Sequence, residues 1–384
     1  MKFRRIADLP PYVFASVDQL KRELRREGRD VIDLGFGNPD IPSPPVAVEK
    51  LQEAAGKASN HRYSASRGIG QLRAAITEHY ARAFGVTLDP ETQVVSTIGA
   101  KEGLAHLMWV LVEPGDSVVV PTPAYPIHAV APRLAGATVV APPVTGGVEA
   151  ITEAVRASKP RAVVVSYPHN PTTAVATAEE LQQLVDLARE HEFLLIHDFA
   201  YADVAFDGYK PPSVLACDGA ADCAVELYSL TKSFSMAGWR VGFMLGNVEA
   251  VAALAKLKSY LDYGTFQPIQ IASIVALREA GEYPAEVCAI YERRRDVLCE
   301  GLARAGWPVE PPRGTMFVWA PLPERFAGLG SLETALRLAR EAHVAVSPGI
   351  GFGEGGDGHV RFALVENDQR IRQATRAIGR LLAH

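Results

Sequence analysis

Residues 229–240 read Ser-Leu-Thr-Lys-Ser-Phe-Ser-Met-Ala-Gly-Trp-Arg, and this stretch decides how the rest of the chain is interpreted. It lies between two apolar runs, Ala224–Ser229 and Gly242–Leu245, which have the length and composition of buried strands. Lys232 therefore stands near a strand end, where open α/β sheets build their sites. A lone lysine is usually an exposed surface residue. A hydroxyl at Ser229 and a guanidinium at Arg240 favour a binding or catalytic site instead.

Apolar runs of four to six residues alternate with helical stretches before this segment. They are rich in valine and mostly lack alternation with polar residues, which is typical of strands buried on both faces of a parallel or mixed sheet. The runs are Gln93–Thr97, Ser117–Val120, Thr138–Pro142, Ala162–Tyr167 and Leu194–His197. The intervening segments fit helices, so the pattern predicts an α/β fold with a mixed, mostly parallel central sheet.

The chain is long enough for more than one hydrophobic core, since it has 384 residues. A long helix predicted at about Tyr283–Ala305 leads to three further strands, Thr315–Ala320, Val344–Val346 and His359–Leu364. We therefore expect a large domain over 45–282 and a smaller α+β domain over 283–384. The segment 1–44 is expected to pack with the smaller domain.

Two polar motifs follow predicted strands. Asp198 stands in His197-Asp-Phe-Ala-Tyr201, directly after the run Leu194–Ile196, where it could simply cap a helix. Asn170 stands in Tyr167-Pro-His-Asn-Pro-Thr172, where Asn-Pro could simply form a turn. Because ends of successive strands meet at one edge of a sheet, both side chains are candidates for a shared pocket.

Two further motifs begin helices. Ile98-Gly-Ala-Lys-Glu-Gly103 joins a strand to a helix, whose first backbone N–H groups are suited to binding an anion such as phosphate. Its glycine could equally serve only a tight turn. Pro121-Thr-Pro-Ala-Tyr125-Pro126 presents an aromatic ring that is either packing or a shelf for a flat ligand.

Composition excludes several classes of protein. The net charge of −5 gives no basic field for nucleic acid. No run approaches the roughly 18 apolar residues that span a bilayer, and no apolar signal follows the first charges. The cysteines at 217, 223, 288 and 299 have no CxxC spacing, so we expect free thiols, no bound metal and a cytoplasmic protein.

Taken together, the motifs GAKEGL, PTPAYP, HNPT, HDFAY and SLTKSFSMAGWRVG resemble those of the class I/II aminotransferases, which are fold-type I pyridoxal-phosphate (PLP) enzymes. The resemblance covers essentially the whole chain, including RYSASRGIGQLR near residue 67 and HVRFAL near residue 361. KSYLDYGTFQP and VSPGIGFGEGGDGHVRFALVEN most resemble the bacterial alanine (glutamate–pyruvate) aminotransferases, with the LL-diaminopimelate aminotransferases as related enzymes.

The resemblance implies a role for each matching residue. Lys232 would form the Schiff base with PLP and then shuttle a proton. Its pKa should be lowered by burial and nearby cations. Asp198 would pair with the pyridine nitrogen and keep it protonated, which makes the ring an electron sink. The other implied cofactor contacts are Ser229, Arg240 and the N–H groups of Ala100 and Lys101 for the phosphate, Tyr201 and Asn170 for the phenolic oxygen, and Tyr125 for the ring face.

Other implied roles concern the substrate and a second subunit. Arg361 would clamp the substrate carboxylate with its planar fork, helped by Asn170 and the backbone near Gly37. Tyr63 would reach the phosphate of a neighbouring subunit's cofactor, which implies a homodimer with shared active sites. Tyr12 and Phe36 are candidate walls of the substrate pocket.

The sequence departs from the family pattern at two positions. Ala100 stands where many relatives have serine, so a hydroxyl contact to the phosphate is lost while the backbone contacts survive. Thr231 precedes the lysine where serine is common.

Several functions remain open at this stage. Residues 351–356 fit GxGxxG, but they precede a strand near the C-terminus, which disfavours a nicotinamide dehydrogenase. A ligand-binding protein of the same fold would not need an imine-forming lysine. Aminotransferases of other specificity and PLP carbon–sulfur lyases use the same residues, since the fold does not fix the reaction. The resemblance favours alanine and 2-oxoglutarate as substrates.

Overall fold

A seven-stranded sheet forms the centre of the computed structural model, which describes residues 3, 6, 9 and 13–383. Its spatial order is β2-β8-β7-β6-β5-β3-β4, and β8 is antiparallel to both neighbours while every other pairing is parallel. The strands are β2 Val94–Thr97, β3 Ser117–Val119, β4 Thr138–Val140, β5 Ala162–Val165, β6 Leu194–Asp198, β7 Ala224–Ser229 and β8 Gly242–Gly246. The predicted mixed, mostly parallel sheet is confirmed.

Helices cover both faces of this sheet. Val94 and the next residue of β2, Val95, point to opposite faces of the sheet. Both are fully buried, and they belong to different apolar clusters, so each face is covered. The helices of this region are α2 Pro45–Ala55, α3 Gly70–Phe84, α4 Ala100–Leu111, α5 Pro126–Ala135, α6 Gly147–Ser158, α7 Ala178–His191, α8 Ala220–Cys223, α9 Leu230–Ser233, α10 Val248–Leu261 and α11 Gln267–Glu279. Two-sided burial explains why these strands read as continuous apolar runs.

A second apolar core joins the two ends of the chain. Helix α1, Phe14–Arg26, contributes Val17 and Leu24 to a cluster that extends to Ile378. The other elements here are α12 Tyr283–Arg304, α13 Gly330–Arg337 and α14 Asp368–Ala383, with strands β1 Ile32–Asp33, β9 Phe317–Pro321, β10 Val344–Ala345, β11 Ser347–Pro348 and β12 His359–Ala363. Helix α1 and the C-terminal elements therefore share one apolar core.

The strands of this second region differ from the prediction in their partners. Only β9 and β12, with the unforeseen short β11, form one antiparallel sheet. Strand β10 instead pairs in parallel with β1, with Ile32 opposite Val344. The run predicted from Thr315 becomes a strand only at Phe317, because Thr315 has a φ of +74°, outside the β region.

Two expectations about the whole chain can be compared with the structure. In the described part of the chain, no helix combines the length and apolar character needed to cross a bilayer. All four cysteines are free thiols, as the sequence predicted.

Candidate active site

A cavity of about 610 Å³ opens where the strand ends of the large sheet meet the C-terminal region. It is lined by the residues that the motifs single out: Gly37, Ala100, Lys101, Tyr125, Asn170, Asp198, Tyr201, Ser229, Lys232, Arg240 and Arg361. These residues are far apart in sequence, and parallel strands bring them together because their carboxyl ends share one edge.

Lys232 lies on the short helix α9, directly after β7. Its Nζ donates a 2.7 Å hydrogen bond to the carbonyl oxygen of Gly37. Burial, followed by the charges of Arg361 and Arg240, lowers the pKa of Lys232 to about 7. A substantial fraction of the amine is therefore neutral near neutral pH, which is the form that attacks a carbonyl carbon.

The backbone around Lys232 is fixed by side chains on either side of it. The Ser229 hydroxyl accepts the Thr231 N–H at 3.2 Å, which caps the start of α9. After the lysine, the Ser233 hydroxyl donates to Asp203 Oδ2 at 2.5 Å. Lys232 thus projects from a short, doubly anchored segment into the cavity.

Asp198 ends β6 and is held by His128 from α5. His128 Nε2 donates to Oδ2 at 2.8 Å, and the His128 side chain is 2% exposed. The second oxygen, Oδ1, is buried and has no hydrogen-bond partner among the described residues. A buried carboxylate oxygen without a partner is costly, so this atom is suited to a cationic N–H of a ligand.

Gly99 and Arg240 form a tight turn at the start of α4. Gly99 has a φ of +82°, and a Cβ placed on it would lie 2.3 Å from Arg240 Nη2. Arg240 donates from Nη1 to the Ala237 carbonyl at 3.1 Å and from Nη2 to the Ile98 carbonyl at 3.4 Å. The first N–H groups of a helix lack intrahelical acceptors, so the turn presents N–H groups and a guanidinium together. This arrangement is suited to a phosphate.

Arg361 projects from β12 and is almost fully buried. Its Nη1 donates to Asn170 Oδ1 at 2.7 Å, and its Nη2 donates to the Gly35 carbonyl at 3.2 Å. The guanidinium carbon lies 3.9 Å from the ring centroid of Phe317. These contacts fix the plane of the guanidinium, as recognition of a carboxylate by two parallel hydrogen bonds requires.

Two tyrosines complete the polar lining. Tyr201 is 5% exposed, and burial raises the pKa of its phenol, so the hydroxyl remains a hydrogen-bond donor. Tyr125 meets His128 edge to face with ring centroids 5.8 Å apart. The Lys101 ammonium lies 5.4 Å from the Tyr125 ring centroid. The Tyr125 ring is thus held between His128 and Lys101.

Three further positions predicted for the site are Tyr63, Phe36 and Tyr12. Tyr63 is 84% exposed, does not line the cavity and stacks on Tyr263 with ring centroids 4.5 Å apart. Phe36 lines the cavity and is 64% exposed. Tyr12 lies outside the described residues.

The sequence reasoning missed several residues at this site. The most consequential is His128, three residues after Tyr125 and therefore on the same helix face, which is the one signal that could have found it. Phe14 and Lys21 on α1 also line the cavity, as does Asp33, which accepts a 2.7 Å hydrogen bond from Lys21. Nothing in the sequence of α1 distinguishes these side chains from an ordinary amphipathic helix.

A family model described as aminotransferase class I and II matches residues 29–378. The chain belongs to this family. Among similar proteins, the glutamate–pyruvate aminotransferase AlaC of Escherichia coli K12 is 50% identical over 382 residues, covering 98% of this chain and 93% of AlaC. An LL-diaminopimelate aminotransferase of Dehalococcoides mccartyi is 41% identical, covering 96% of each chain.

Solved structures agree with this assignment. A variant of the Thermus thermophilus aspartate aminotransferase superposes with a TM-score of 0.92 at 30% identity, covering 99% of each chain. The protein is thus a PLP-dependent aminotransferase with a fold-type I structure. The residues present fit the cofactor, since Asp198 Oδ1 is a buried acceptor without a partner among the described residues and a Cβ at Gly99 would meet the Arg240 guanidinium.

Proposed function

We propose that this aminotransferase moves an amino group from alanine to 2-oxoglutarate, giving pyruvate and glutamate, and that Lys232 holds PLP. The observation that carries the proposal is a single cavity shared by Lys232, Asp198 and Arg361. The 50% identity with AlaC over nearly the whole of both chains supports alanine as donor. Because a 41% identical relative acts on LL-diaminopimelate, that amino acid is the first alternative substrate.

Asp198, Arg240 and Tyr125 would hold the cofactor in this proposal. Asp198 Oδ1 would accept the ring N–H, since His128 holds the other oxygen. Arg240, Ser229 and the N–H groups of Ala100 and Lys101 would bind the phosphate, and Tyr125 would contact the ring. Tyr201 would donate to the phenolic oxygen. When bound, PLP supplies an electron sink for the electron pair released at the substrate's α-carbon.

Lys232 and Arg361 would act on the substrate. Arg361, kept in plane by Asn170 and the Gly35 carbonyl, binds the α-carboxylate and so orients the α-carbon. Lys232, with a pKa of about 7, can both accept and return a proton near neutral pH. Gly37 accepts the lysine hydrogen bond and brings backbone close to the substrate.

Part of the cavity wall is apolar. Among the described residues, Arg240 and Arg361 are the arginines that line it, and we assign Arg240 to the phosphate. Phe14 and Phe352 meet edge to face at 5.0 Å, and both belong to the cavity wall. An apolar wall is suited to the methyl group of alanine.

We also propose a homodimer with shared sites, in which Tyr63 reaches the partner's cofactor phosphate. Exposed aromatic residues support a subunit contact surface in this part of the chain. They are Tyr260, Tyr263 and Phe266. Mixing Lys232→Ala with Tyr63→Ala subunits should restore activity through one intact site; no restoration would mean that each chain forms its site alone.

The proposed domains are 45–282 and 283–384, with 1–44 packed on the latter, and the proposed location is the cytoplasm.

Substrate panels test the proposed specificity. Alanine, LL-diaminopimelate, aspartate and methionine would each be supplied with 2-oxoglutarate, and kcat/KM compared. We expect alanine to exceed the others by at least about tenfold, the discrimination that one misplaced side-chain group typically causes. A higher kcat/KM for LL-diaminopimelate would transfer the assignment to that substrate. Release of ammonia and a thiol together with the 2-oxo acid, without conversion of 2-oxoglutarate to glutamate, would identify a lyase.

A further inference from the structure

A fully buried lysine lies behind the helix that begins at the proposed phosphate site. Lys258, on α10, has 0% exposure. Its ammonium donates to Glu102 Oε1 at 3.1 Å and to Asp262 Oδ2 at 3.0 Å. His106 Nδ1 lies 2.7 Å from the same Glu102 oxygen. Burying an ammonium is costly unless carboxylates pair with it, and two carboxylates do so here.

Glu102 connects this buried lysine to the turn that precedes α4. Its second oxygen, Oε2, accepts the Ile98 N–H at 2.8 Å. The carbonyl of Ile98 accepts from Arg240 Nη2, and Gly99 and Ala100 follow at once. One residue, Ile98, is thus held by Glu102 through its N–H and by Arg240 through its carbonyl. Movement of Glu102 would displace both the turn and the guanidinium.

The position of Glu102 also creates an electrostatic conflict. It is the third residue of α4, where a carboxylate interacts favourably with the helix dipole. A phosphate at the same helix start uses the same dipole and carries like charge. Without compensation, the carboxylate would repel the phosphate at short range, where screening by salt is weak. Among the described residues, the lysine ammonium paired with Glu102 is that of Lys258, and it can offset this charge.

We propose that Lys258 is a positioning residue of the cofactor phosphate site. It holds Glu102 on the Ile98 N–H and offsets the charge of Glu102, so that a phosphate dianion binds at the start of α4. The inference rests on the proposed binding of PLP at this helix and assigns a role to a residue that does not touch the cofactor.

The test compares two ligands that differ only in the phosphate. Cofactor-free protein would be titrated with PLP and with pyridoxal, and the ratio of the two dissociation constants measured in the wild type and in Lys258→Met. We expect the preference for PLP to fall about 10- to 100-fold, the loss usual for a residue that orients a binding group. Lys256→Met, at an exposed position on the same helix, is the matched control and should leave both constants unchanged.

Glu102 variants keep the inference testable if Lys258→Met does not fold. Glu102→Ala removes the acceptor for the Ile98 N–H and should lower the preference for PLP. Glu102→Gln keeps an acceptor oxygen without the charge and should retain the preference. Equal weakening of PLP and pyridoxal in Lys258→Met, or an unchanged preference in Glu102→Ala, would overturn the inference.

The wild type separates this inference from the proposed function. If wild-type protein binds PLP no more tightly than pyridoxal, the proposed phosphate site itself is wrong. If the wild type prefers PLP and Lys258→Met prefers it equally, only the role of Lys258 fails.

Discussion

His128 Nε2 donates to Asp198 Oδ2 at 2.8 Å, and the buried Asp198 Oδ1 has no hydrogen-bond partner among the described residues. The histidine comes from α5 and the aspartate from the end of β6, 70 positions later in the chain. One side chain therefore orients the carboxylate that we assign to the pyridine nitrogen, in the way that neighbouring hydrogen bonds orient metal ligands.

Substitution of His128 tests this orientation. His128→Leu removes the hydrogen bond and should lower kcat/KM about 10- to 100-fold for every amino acid, because Asp198 loses its fixed rotamer. His128→Gln can still place an N–H near Asp198 and should lose less. Equal activity in the leucine variant and the wild type, measured with saturating PLP, would show that Asp198 needs no support.

The lowered pKa of Lys232 predicts how cofactor capture depends on pH. The neutral amine is the reactive form, and its fraction increases with pH, so the rate at which cofactor-free protein captures PLP should rise with a midpoint near pH 7. With an ordinary lysine, the rate of PLP capture would continue to increase with pH up to its pKa of 10.5. Stopped-flow absorbance would measure the profile.

Arg361→Leu provides the control for this profile. The charge of Arg361 is the largest cause of the lowered pKa after burial, so its removal should move the midpoint upward. A midpoint that stays in place would mean that burial and Arg240 lower the pKa without a contribution from Arg361.

Arg361→Ala should raise KM for every amino acid by a similar factor. Loss of hydrogen bonds to a charged carboxylate costs about 1.5–3 kcal/mol, which corresponds to roughly 10- to 100-fold. Arg361→Lys keeps the charge without the planar fork and should recover only part of the loss. If KM changed for a single substrate only, Arg361 would contact a side chain in place of the shared carboxylate.

Gly99→Ala should weaken PLP binding by displacing Arg240. The added Cβ would lie 2.3 Å from Nη2, and the φ of +82° adds strain of about 1 kcal/mol. Gly85→Ala is the matched control, because Gly85 has a φ of +69° and open space around its Cβ position. Both variants should lose stability in thermal unfolding, but only Gly99→Ala should raise the dissociation constant of PLP. Equal PLP affinity in both variants would rule out the steric role of Gly99.

Much of the fold could be predicted from the sequence, because strands that are buried on both faces appear in it as continuous apolar runs. The runs at Ala162–Val165 and Ala224–Ser229 are strands whose residues are all buried, and both were predicted within two residues. Lys232 and Asp198 could be placed at strand ends for the same reason. The pairing of β10 with β1 was not predictable, since strands of two residues carry no periodic pattern.

The remaining site residues depend on information that one chain's sequence does not contain. His128 is a single histidine on a helix, and its partner is fixed only by the packing of α5 on the sheet. In the sequence, Lys21 is indistinguishable from other residues of an amphipathic helix. It becomes a site residue because the fold places α1 beside the cavity. The role proposed for Tyr63 needs a second subunit, because its ring is exposed and lies outside the cavity of its own chain.

The most direct test of the central claim is to map the lysine that holds the cofactor. PLP-loaded protein would be reduced with borohydride, which makes a lysine-bound cofactor permanent, then digested and sequenced by mass spectrometry. Lys21 and Lys101 line the same cavity and serve as internal alternatives. We predict the pyridoxyl group on Lys232 alone, and its absence from Lys232→Ala. Labelling of Lys21 or Lys101 in the wild type, with Lys232 unmodified, would contradict the account.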